Sequence, residues 1–232
     1  MLFVNKGYKL IDTEKWSRTE YFRHFMDEAP CSISMCDEID VTRLKTACHT
    51  LKISFYIAFL YVVSEIVNSH DELKMLAVDT PDSPYPLPAV WDRVEVAHNV
   101  FHDDTETYTS TFTVWKEDFR EFYENCTEDV ARAKSVKYMS IPSPDNIFEA
   151  SCVPWRHFTS VGVMSDNVSL YPIIAWGGFV GRDGKTYMPL SISIHHAAAD
   201  GFHIARFINE AEEKAKNLAE ELLRAAAVCT EA

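Results

Sequence analysis

The amino-acid sequence predicts an α+β fold in which a mixed sheet is flanked by helices. Residues 188–194 alternate apolar and polar side chains as a strand does, and the residues after Gly201 place apolar side chains on one helical stripe. A length of 232 residues with 47% apolar content is sufficient for one well-buried core. We therefore expect a single domain over residues 1–232, with a short C-terminal tail.

The elements predicted before residue 80 follow from periodicity and from capping residues. Asp12 and Thr13 precede a helical pattern that Pro30 ends, and Asp40 caps the next helix. In chain order we expect a helix at 14–28, a strand at 31–39, a helix to about Thr50, a second helix to about Ser69 and a strand at 73–78. The apolar run at 53–63 is shorter than the ~20 residues of a membrane span, so we interpret it as a buried helix and expect no membrane association.

The second part of the chain predicts most of the sheet. The proline-rich stretch at 80–88 is typical of a surface loop, and the sequence Gly-Arg-Asp-Gly-Lys at 181–185 is typical of a hairpin turn. We expect strands at 94–101, 106–114, 148–164, 173–180 and 188–194, and helices at 116–134 and 201–227.

The segment His-His-Ala-Ala-Ala-Asp-Gly-Phe-His at 195–203 joins the last strand to the last helix and is the most informative part of the chain. A single histidine beside an apolar strand is most often a structural residue. Three histidines and an aspartate within nine residues make that interpretation insufficient for all of them. His195 and His196 would point to opposite faces of a strand, with no Cys or Glu partner nearby, so we expect no metal site.

The remaining chemistry for this segment is general base catalysis. A neutral imidazole at a strand end can remove a proton from a hydroxyl, a step typically worth about 10²–10⁴ in rate. Asp200 lies four residues after His196, so it either orients that ring or locks the turn that carries it. Spacing alone leaves both roles open.

Extended from Met188 to Asn209, this segment resembles the active-site signature of the chloramphenicol acetyltransferases, trimeric enzymes that move an acetyl group from acetyl-coenzyme A to a hydroxyl. The shorter pattern of two histidines and then aspartate-glycine is also similar to that of dihydrolipoyl acyltransferases. Other stretches match in the family's order, namely 16–18, 30–31, 39–42, 71–73, 105–108 and 154–155. The resemblance implies a homotrimer that acetylates chloramphenicol, with acetyl-coenzyme A as co-substrate and an active site at each subunit boundary.

The resemblance also implies four catalytic residues. By motif position His196 is the general base, and Asp200 forms an ion pair with Arg18 that ties the turn to the first helix. Ser151, three residues before Pro154, donates a hydrogen bond to the oxyanion, and such a donor is typically worth about 10²–10³ in turnover. Without the resemblance, Ser151 would be read as a strand-end serine and Arg18 as an exposed helix arginine.

Binding positions follow from the same resemblance. The implied acceptor-pocket residues are Phe25, Cys31, Ile33, Asn99, Tyr108 and Val163. On the coenzyme side Tyr56 is retained, and Phe179 stands where the family usually has a tyrosine that meets the nucleotide. Several positions depart from the family pattern, namely Ile33, Asn99, Val163, Ala175, Gly178 and Ser193. A different small hydroxylated acceptor, or a catalytically silent relative, are the alternatives.

Charge and cysteine content restrict the remaining possibilities. The formal net charge is −13 and blocks of basic residues are absent, so we expect no nucleic-acid partner. Coenzyme A is anionic and needs local positive charge, for which Arg182 and Lys185 are candidates. The six cysteines have no CxxC spacing and no signal peptide precedes them, which predicts reduced thiols in a cytoplasmic protein.

Overall fold

A computed structural model describes residues 7–81, 83–162 and 169–230. In these ranges one large sheet has the strand order β2-β10-β8-β7-β5-β6, with β9 paired to β10, and a small sheet has the order β1-β4-β3. The strands are β1 (Tyr8–Leu10), β2 (Ser32–Asp40), β3 (Met75–Val78), β4 (Leu87–Trp91), β5 (Glu95–His102), β6 (Thr107–Thr113), β7 (Ile147–Val153), β8 (Ile173–Gly177), β9 (Val180–Arg182) and β10 (Lys185–His195).

The large sheet is mixed, which confirms the predicted α+β class. Strand β7 pairs in parallel with β5 and with β8, whereas β10 is antiparallel to β2, β8 and β9. The α-helices of the described residues are α1 (Thr19–Arg23), α2 (Thr42–Leu51), α3 (Phe55–Ser69), α4 (Phe119–Ser135) and α5 (Gly201–Thr230). A π-helical turn, His24–Glu28, continues α1, and a 3₁₀ turn, Asp71–Leu73, precedes β3.

The core lies between the helices and one face of the large sheet. Alternate side chains of each strand point to this face, so β10 contributes Met188, Leu190, Ile192 and Ile194, all buried. Helix α3 begins after the Ser54 cap and is buried along most of its length, as the apolar run predicted. None of the helices in the described ranges is both long enough and apolar enough to cross a membrane.

The opposite face of the large sheet carries smaller and more polar side chains. Ser34 and Ser193 lie directly opposite each other on β2 and β10, and their hydroxyl oxygens are 2.7 Å apart. The segment at 154–162 packs on this face, because the Ser191 hydroxyl donates to the Val161 carbonyl at 3.0 Å and the Gly178 amide donates to the Arg156 carbonyl at 2.8 Å.

Two boundaries differ from those the sequence predicts, and one strand was not predicted. The strand expected at 148–164 ends at Val153, since Pro154 has no N–H to continue the ladder; residues 163 and 164 lie outside the described ranges. The first helix begins at Thr19, because the Asp12 carbonyl accepts from Lys15 and Trp16 in a separate turn. Strand β4, the middle strand of the small sheet, was not predicted, because it begins within the proline-rich stretch that indicated a loop.

The predicted hairpin between β9 and β10 is confirmed. Asp183 and Gly184 both have positive φ values, 51° and 75°, which a two-residue turn of this type requires. Arg182 is consequently paired with Lys185 at the start of the ladder. This turn fixes the register of β10, the strand that leads into the histidine segment.

Gly177 is a sharp test of the packing between β8 and the segment at 154–162. An added Cβ at Gly177 would lie 2.7 Å from the Arg156 carbonyl oxygen and 2.7 Å from Pro189. We expect Gly177→Ala to lower the free energy of unfolding by about 1–3 kcal/mol, because backbone must shift to accommodate the methyl group. Gly181→Ala, where the nearest atom would be at 3.9 Å, is the matched control in denaturant unfolding. Equal stability of the two variants would contradict this close packing.

Candidate active site

The His196 ring is held at the end of β10 by backbone groups. Its amide donates to the Cys31 carbonyl at 2.9 Å, and its Nδ1 lies 3.0 Å from the Ala199 carbonyl oxygen. A carbonyl can only accept, so this contact requires the proton to be on Nδ1 and leaves the lone pair on Nε2. In this tautomer the ring can accept a proton through Nε2.

Phe25 fixes the plane of the same ring. The two rings are stacked with centroids 3.9 Å apart and planes inclined by 10°. Phe25 belongs to the π-helical turn that continues α1, so the chain widens its helix at the residue that meets His196. The aromatic position predicted for the acceptor pocket therefore also orients the histidine.

His195 has the opposite tautomer and a structural role. Its Nδ1 accepts from the Ala197 amide at 3.2 Å, which places its proton on Nε2. Burial and the neighbouring His196 lower the pKa of His195, so this ring stays neutral. The interpretation of a satisfied core histidine thus describes His195, whereas His196 has the geometry of a base.

Asp200 and Arg18 form the ion pair that the resemblance implied. Both carboxylate oxygens of Asp200 accept from the Arg18 guanidinium, which also donates to the His196 carbonyl at 3.4 Å. Burial, the largest single cause, raises the pKa of Asp200, but the hydrogen bond and charge of Arg18, together with the charges of His203 and His196, outweigh it, so the net shift is downward. Asp200 Oδ1 also lies 3.3 Å from His196 Nδ1, so the carboxylate both locks the turn and faces the ring.

Three of the predicted acceptor-pocket residues lie at this end of the sheet. The Phe25 ring stacks on the His196 ring, and the Cys31 carbonyl accepts a hydrogen bond from the His196 amide. Ile33 is paired with Ile194, which lies on β10 two residues before His196. An added Cβ on Gly201 would lie 3.9 Å from the Ile33 side chain, so Ile33 also borders the start of α5. These residues form one group with His196.

Ser151 lies in a different part of the sheet. It is paired with Ala175, which in turn is paired with Ser191, five residues before His196 along β10. Two strand spacings and five residues of rise separate Ser151 from His196 by roughly 19 Å. Asn99 and Tyr108 lie further along the same sheet, on β5 and β6. Val163 lies outside the described residues.

The two predicted coenzyme residues differ in accessibility. The Tyr56 hydroxyl donates to the Asn99 carbonyl at 3.1 Å and lies 2.9 Å from His98 Nδ1, so its polar atom is already bonded within the chain. Phe179 is exposed and packs edge-on against Phe55 with centroids 4.9 Å apart. Of the two residues, Phe179 is the exposed one.

Lys45 is a candidate residue that the sequence did not reveal. Its ammonium lies 4.4 Å from the Phe179 ring centroid, so positive charge and an exposed ring adjoin each other. An exposed lysine on α2 does not by itself indicate a binding site. Its proximity to Phe179, which lies on a different part of the chain, is visible only in the folded structure. The residues proposed earlier for this charge are paired instead, Arg182 with Glu38 and Lys185 with Asp40.

No group of three or more His, Cys, Asp or Glu side chains within the described ranges is placed to hold a metal ion. The His196 end of the sheet combines an imidazole whose Nε2 keeps the lone pair, the Arg18–Asp200 ion pair and the stacked ring of Phe25.

Comparison with known proteins places this chain in a family. In fold, the chain is similar to a solved chloramphenicol acetyltransferase, with a TM-score of 0.73, 22% identity and coverage of 89% of this chain and 98% of that one. It is also similar to the cubic core of the pyruvate dehydrogenase complex, with a TM-score of 0.62, 14% identity and coverage of 88% of each chain. This chain therefore shares its fold with both of these solved structures.

Sequence comparison is more specific. The profile of the chloramphenicol acetyltransferase family matches residues 6–212. The chain is 34% identical to the chloramphenicol acetyltransferase of Clostridium perfringens over 214 residues, covering 90% of this chain and 95% of that protein. It is 33% identical to that of Vibrio anguillarum over 215 residues, covering 91% and 95%. This chain belongs to the chloramphenicol acetyltransferase family.

The Arg18–Asp200 pair gives a stability prediction. We expect Asp200→Asn to lower the free energy of unfolding by about 1–2 kcal/mol, less than the ~3–5 kcal/mol of a fully buried pair, because the Asp200 side chain is 36% exposed. Asp92→Asn is the matched control, since Asp92 is 40% exposed but its partner Lys9 is 84% exposed. We expect less than ~1 kcal/mol from that change.

The pH dependence follows from the downward shift of the Asp200 pKa. The contribution of the ionised carboxylate is complete above the unfolded value of 3.8 and is lost as the pH falls through the lower folded value. Denaturant unfolding of both variants at neutral pH measures the difference. Equal destabilisation by the two substitutions would show that the Arg18 pair contributes no more than a surface contact.

Proposed function

We propose that this protein transfers the acetyl group of acetyl-coenzyme A to a hydroxyl of chloramphenicol, and so inactivates the antibiotic. The observation that carries the proposal is the His196 ring, whose Nδ1 faces the Ala199 carbonyl so that Nε2 is left to accept a proton. Membership of the family supplies the substrate class. The Arg18–Asp200 ion pair next to the His196 ring argues against a catalytically silent relative, which would not need that pair.

The reaction is a direct transfer. Nε2 of His196 takes the proton from the acceptor hydroxyl as the oxygen attacks the thioester carbonyl carbon, which forms the new C–O bond. The Ser151 hydroxyl donates to the oxyanion of the tetrahedral intermediate. The C–S bond then breaks, and the imidazolium returns its proton to the leaving thiolate. Acetyl-coenzyme A is the co-substrate, and no metal takes part.

The remaining residues bind and orient. Asp200 and Arg18 hold the turn, and Phe25, Cys31 and Ile33 form the acceptor wall beside His196. Asn99 and Tyr108 complete the pocket, and Tyr56 and Phe179 border the coenzyme; Val163, which the resemblance also implied, lies outside the described residues. The adjacent Lys45 charge suits the anionic nucleotide end against a net charge of −13.

We propose a homotrimer with each active site at a subunit boundary. The separation of roughly 19 Å between Ser151 and His196 within one chain is far too great for both to contact one tetrahedral centre. A second copy has to supply the missing group. Exposed aromatic side chains near both groups support this assembly, namely Tyr21 and Phe202 near His196, and Tyr108 and Trp155 on the Ser151 side.

Two further points belong to this proposal. Residues 1–232 act as a single acetyltransferase domain, and the protein works in the cytoplasm, where acetyl-coenzyme A is available.

The second candidate function is acetylation of a different small hydroxylated acceptor. It is favoured by Ser193, whose hydroxyl is bonded to Ser34 where the family usually has a glutamine, and by the small Ala175 on the same face.

The first test is acetyl-coenzyme A-dependent thiol release by the purified protein with and without chloramphenicol. We expect chloramphenicol-dependent release, and we expect His196→Ala to lower it by about 10²–10⁴ without loss of the fold. Release that needs another hydroxyl compound would support the second candidate. Near-normal acetylation by folded His196→Ala protein would contradict the proposed base.

A subunit-mixing experiment tests the shared site. His196→Ala and Ser151→Ala are each expected to be nearly inactive alone. When both variants are co-expressed with different tags and mixed trimers are isolated, an intact His196 meets an intact Ser151 at about one third of the boundaries, whichever variant contributes two subunits. Activity should therefore recover to about that fraction of the normal value. Isolated mixed oligomers without recovered activity would show that each site lies within one chain.

A further inference from the structure

The third histidine of the segment, His203, has no role in the reaction described above. It lies in the first turn of α5, and its Nδ1 is 3.0 Å from the Asp200 backbone nitrogen. An amide can only donate, so Nδ1 of His203 must be unprotonated and accept this hydrogen bond. The contact therefore exists only with a neutral His203 ring.

The geometry is one half of a helix capping box. The Asp200 carbonyl accepts from the amides of His203 and Ile204, which makes Asp200 the N-cap of α5 and His203 the third helical residue. In a capping box that third residue reaches back to the N-cap amide, a position usually filled by Glu or Gln. A histidine takes the same place here.

The other half of the box is missing for a functional reason. A capping aspartate normally turns its carboxylate to an amide of the first helical turn, but the Asp200 carboxylate is bound to Arg18. The carboxylate is thus committed to the ion pair beneath His196. The backbone of Asp200 is held from the helix side by His203.

We propose that His203 is a positioning residue that fixes Asp200, and through it the Arg18 pair and the His196 ring, by accepting the Asp200 backbone N–H. The proposal rests on the function proposed above, because it assigns His203 to the same reaction. His203 does not touch the reacting atoms. It acts through a hydrogen bond that protonation removes.

The surroundings of His203 favour the neutral ring. Burial is the main cause of the lowered pKa of His203; Glu72 and Asp200 oppose the shift, whereas Arg18 and Arg206 add to it. A positive charge is also unfavourable at the N-terminus of a helix. The folded pKa of His203 lies below the unfolded value of 6.5. The stability that the neutral His203 ring contributes is therefore present above about pH 6.5 and is lost as the pH falls through the folded value.

Three variants test the assignment. His203→Ala removes the acceptor, and we expect kcat to fall by about 10–100-fold with a smaller change in KM, because misplacement of the base affects the chemical step. His203→Gln supplies an acceptor that does not titrate, and we expect it to recover most of the lost turnover. His49→Gln, which replaces an exposed histidine on α2, is the matched control and should behave as the parent protein.

The pH dependence separates positioning from a general loss of stability. Between about pH 8 and pH 5.5, the kcat and the melting temperature of the parent protein and of His49→Gln should fall more steeply than those of His203→Gln. Parallel pH profiles for all three proteins would overturn the proposal, as would a normal kcat in His203→Ala. If His203→Ala does not fold, the comparison with His203→Gln still decides.

The melting profiles do not depend on which hydroxyl compound receives the acetyl group. If the parent protein failed to acetylate chloramphenicol, the proposed substrate would be wrong. The steeper acid destabilisation of the parent relative to His203→Gln would still test the cap itself. Failure of the substrate assignment and failure of the His203 assignment are thus seen in different measurements.

Discussion

The ion pair between Arg18 and Asp200 is the contact on which the arrangement of the site depends. Arg18 comes from the segment before α1 and Asp200 from the turn before α5, so the pair joins parts of the chain that are far apart in sequence. The guanidinium also reaches the His196 carbonyl, so one side chain fixes both the aspartate and the strand end. With that tie in place, the π-helical turn can bring Phe25 flat against the imidazole.

Much of this fold could be read from the sequence, because its signals were local. The alternation of β10, the glycine turn before it and the apolar run of α3 each predicted the element that is found. The errors arose where distant parts of the chain decide. The strand after Phe148 was predicted too long, because the segment beyond Pro154 leaves the sheet and packs on its polar face.

The sequence predicts a set of candidate site residues but not their geometry. The motif identified His196 and Asp200 as candidates. The proton positions on the His195 and His196 rings depend on which backbone atom each Nδ1 faces, and this cannot be predicted from the sequence. Lys45 was missed for a related reason, since its partner Phe179 approaches from a different element. The distance between Ser151 and His196 likewise follows only from strand register.

The three alanines between His196 and Asp200 define a limit on how this site can vary. All three side chains are fully buried, whereas the Ala197 amide and the Ala199 carbonyl make the contacts that set the tautomers of His195 and His196. Their side chains therefore contribute volume and no chemistry. Substitution in this turn is restricted by the space around it. A residue small enough to fit at position 199 leaves the tautomer of His196 unchanged, because the contact that sets it is made by a main-chain carbonyl, which every amino acid has.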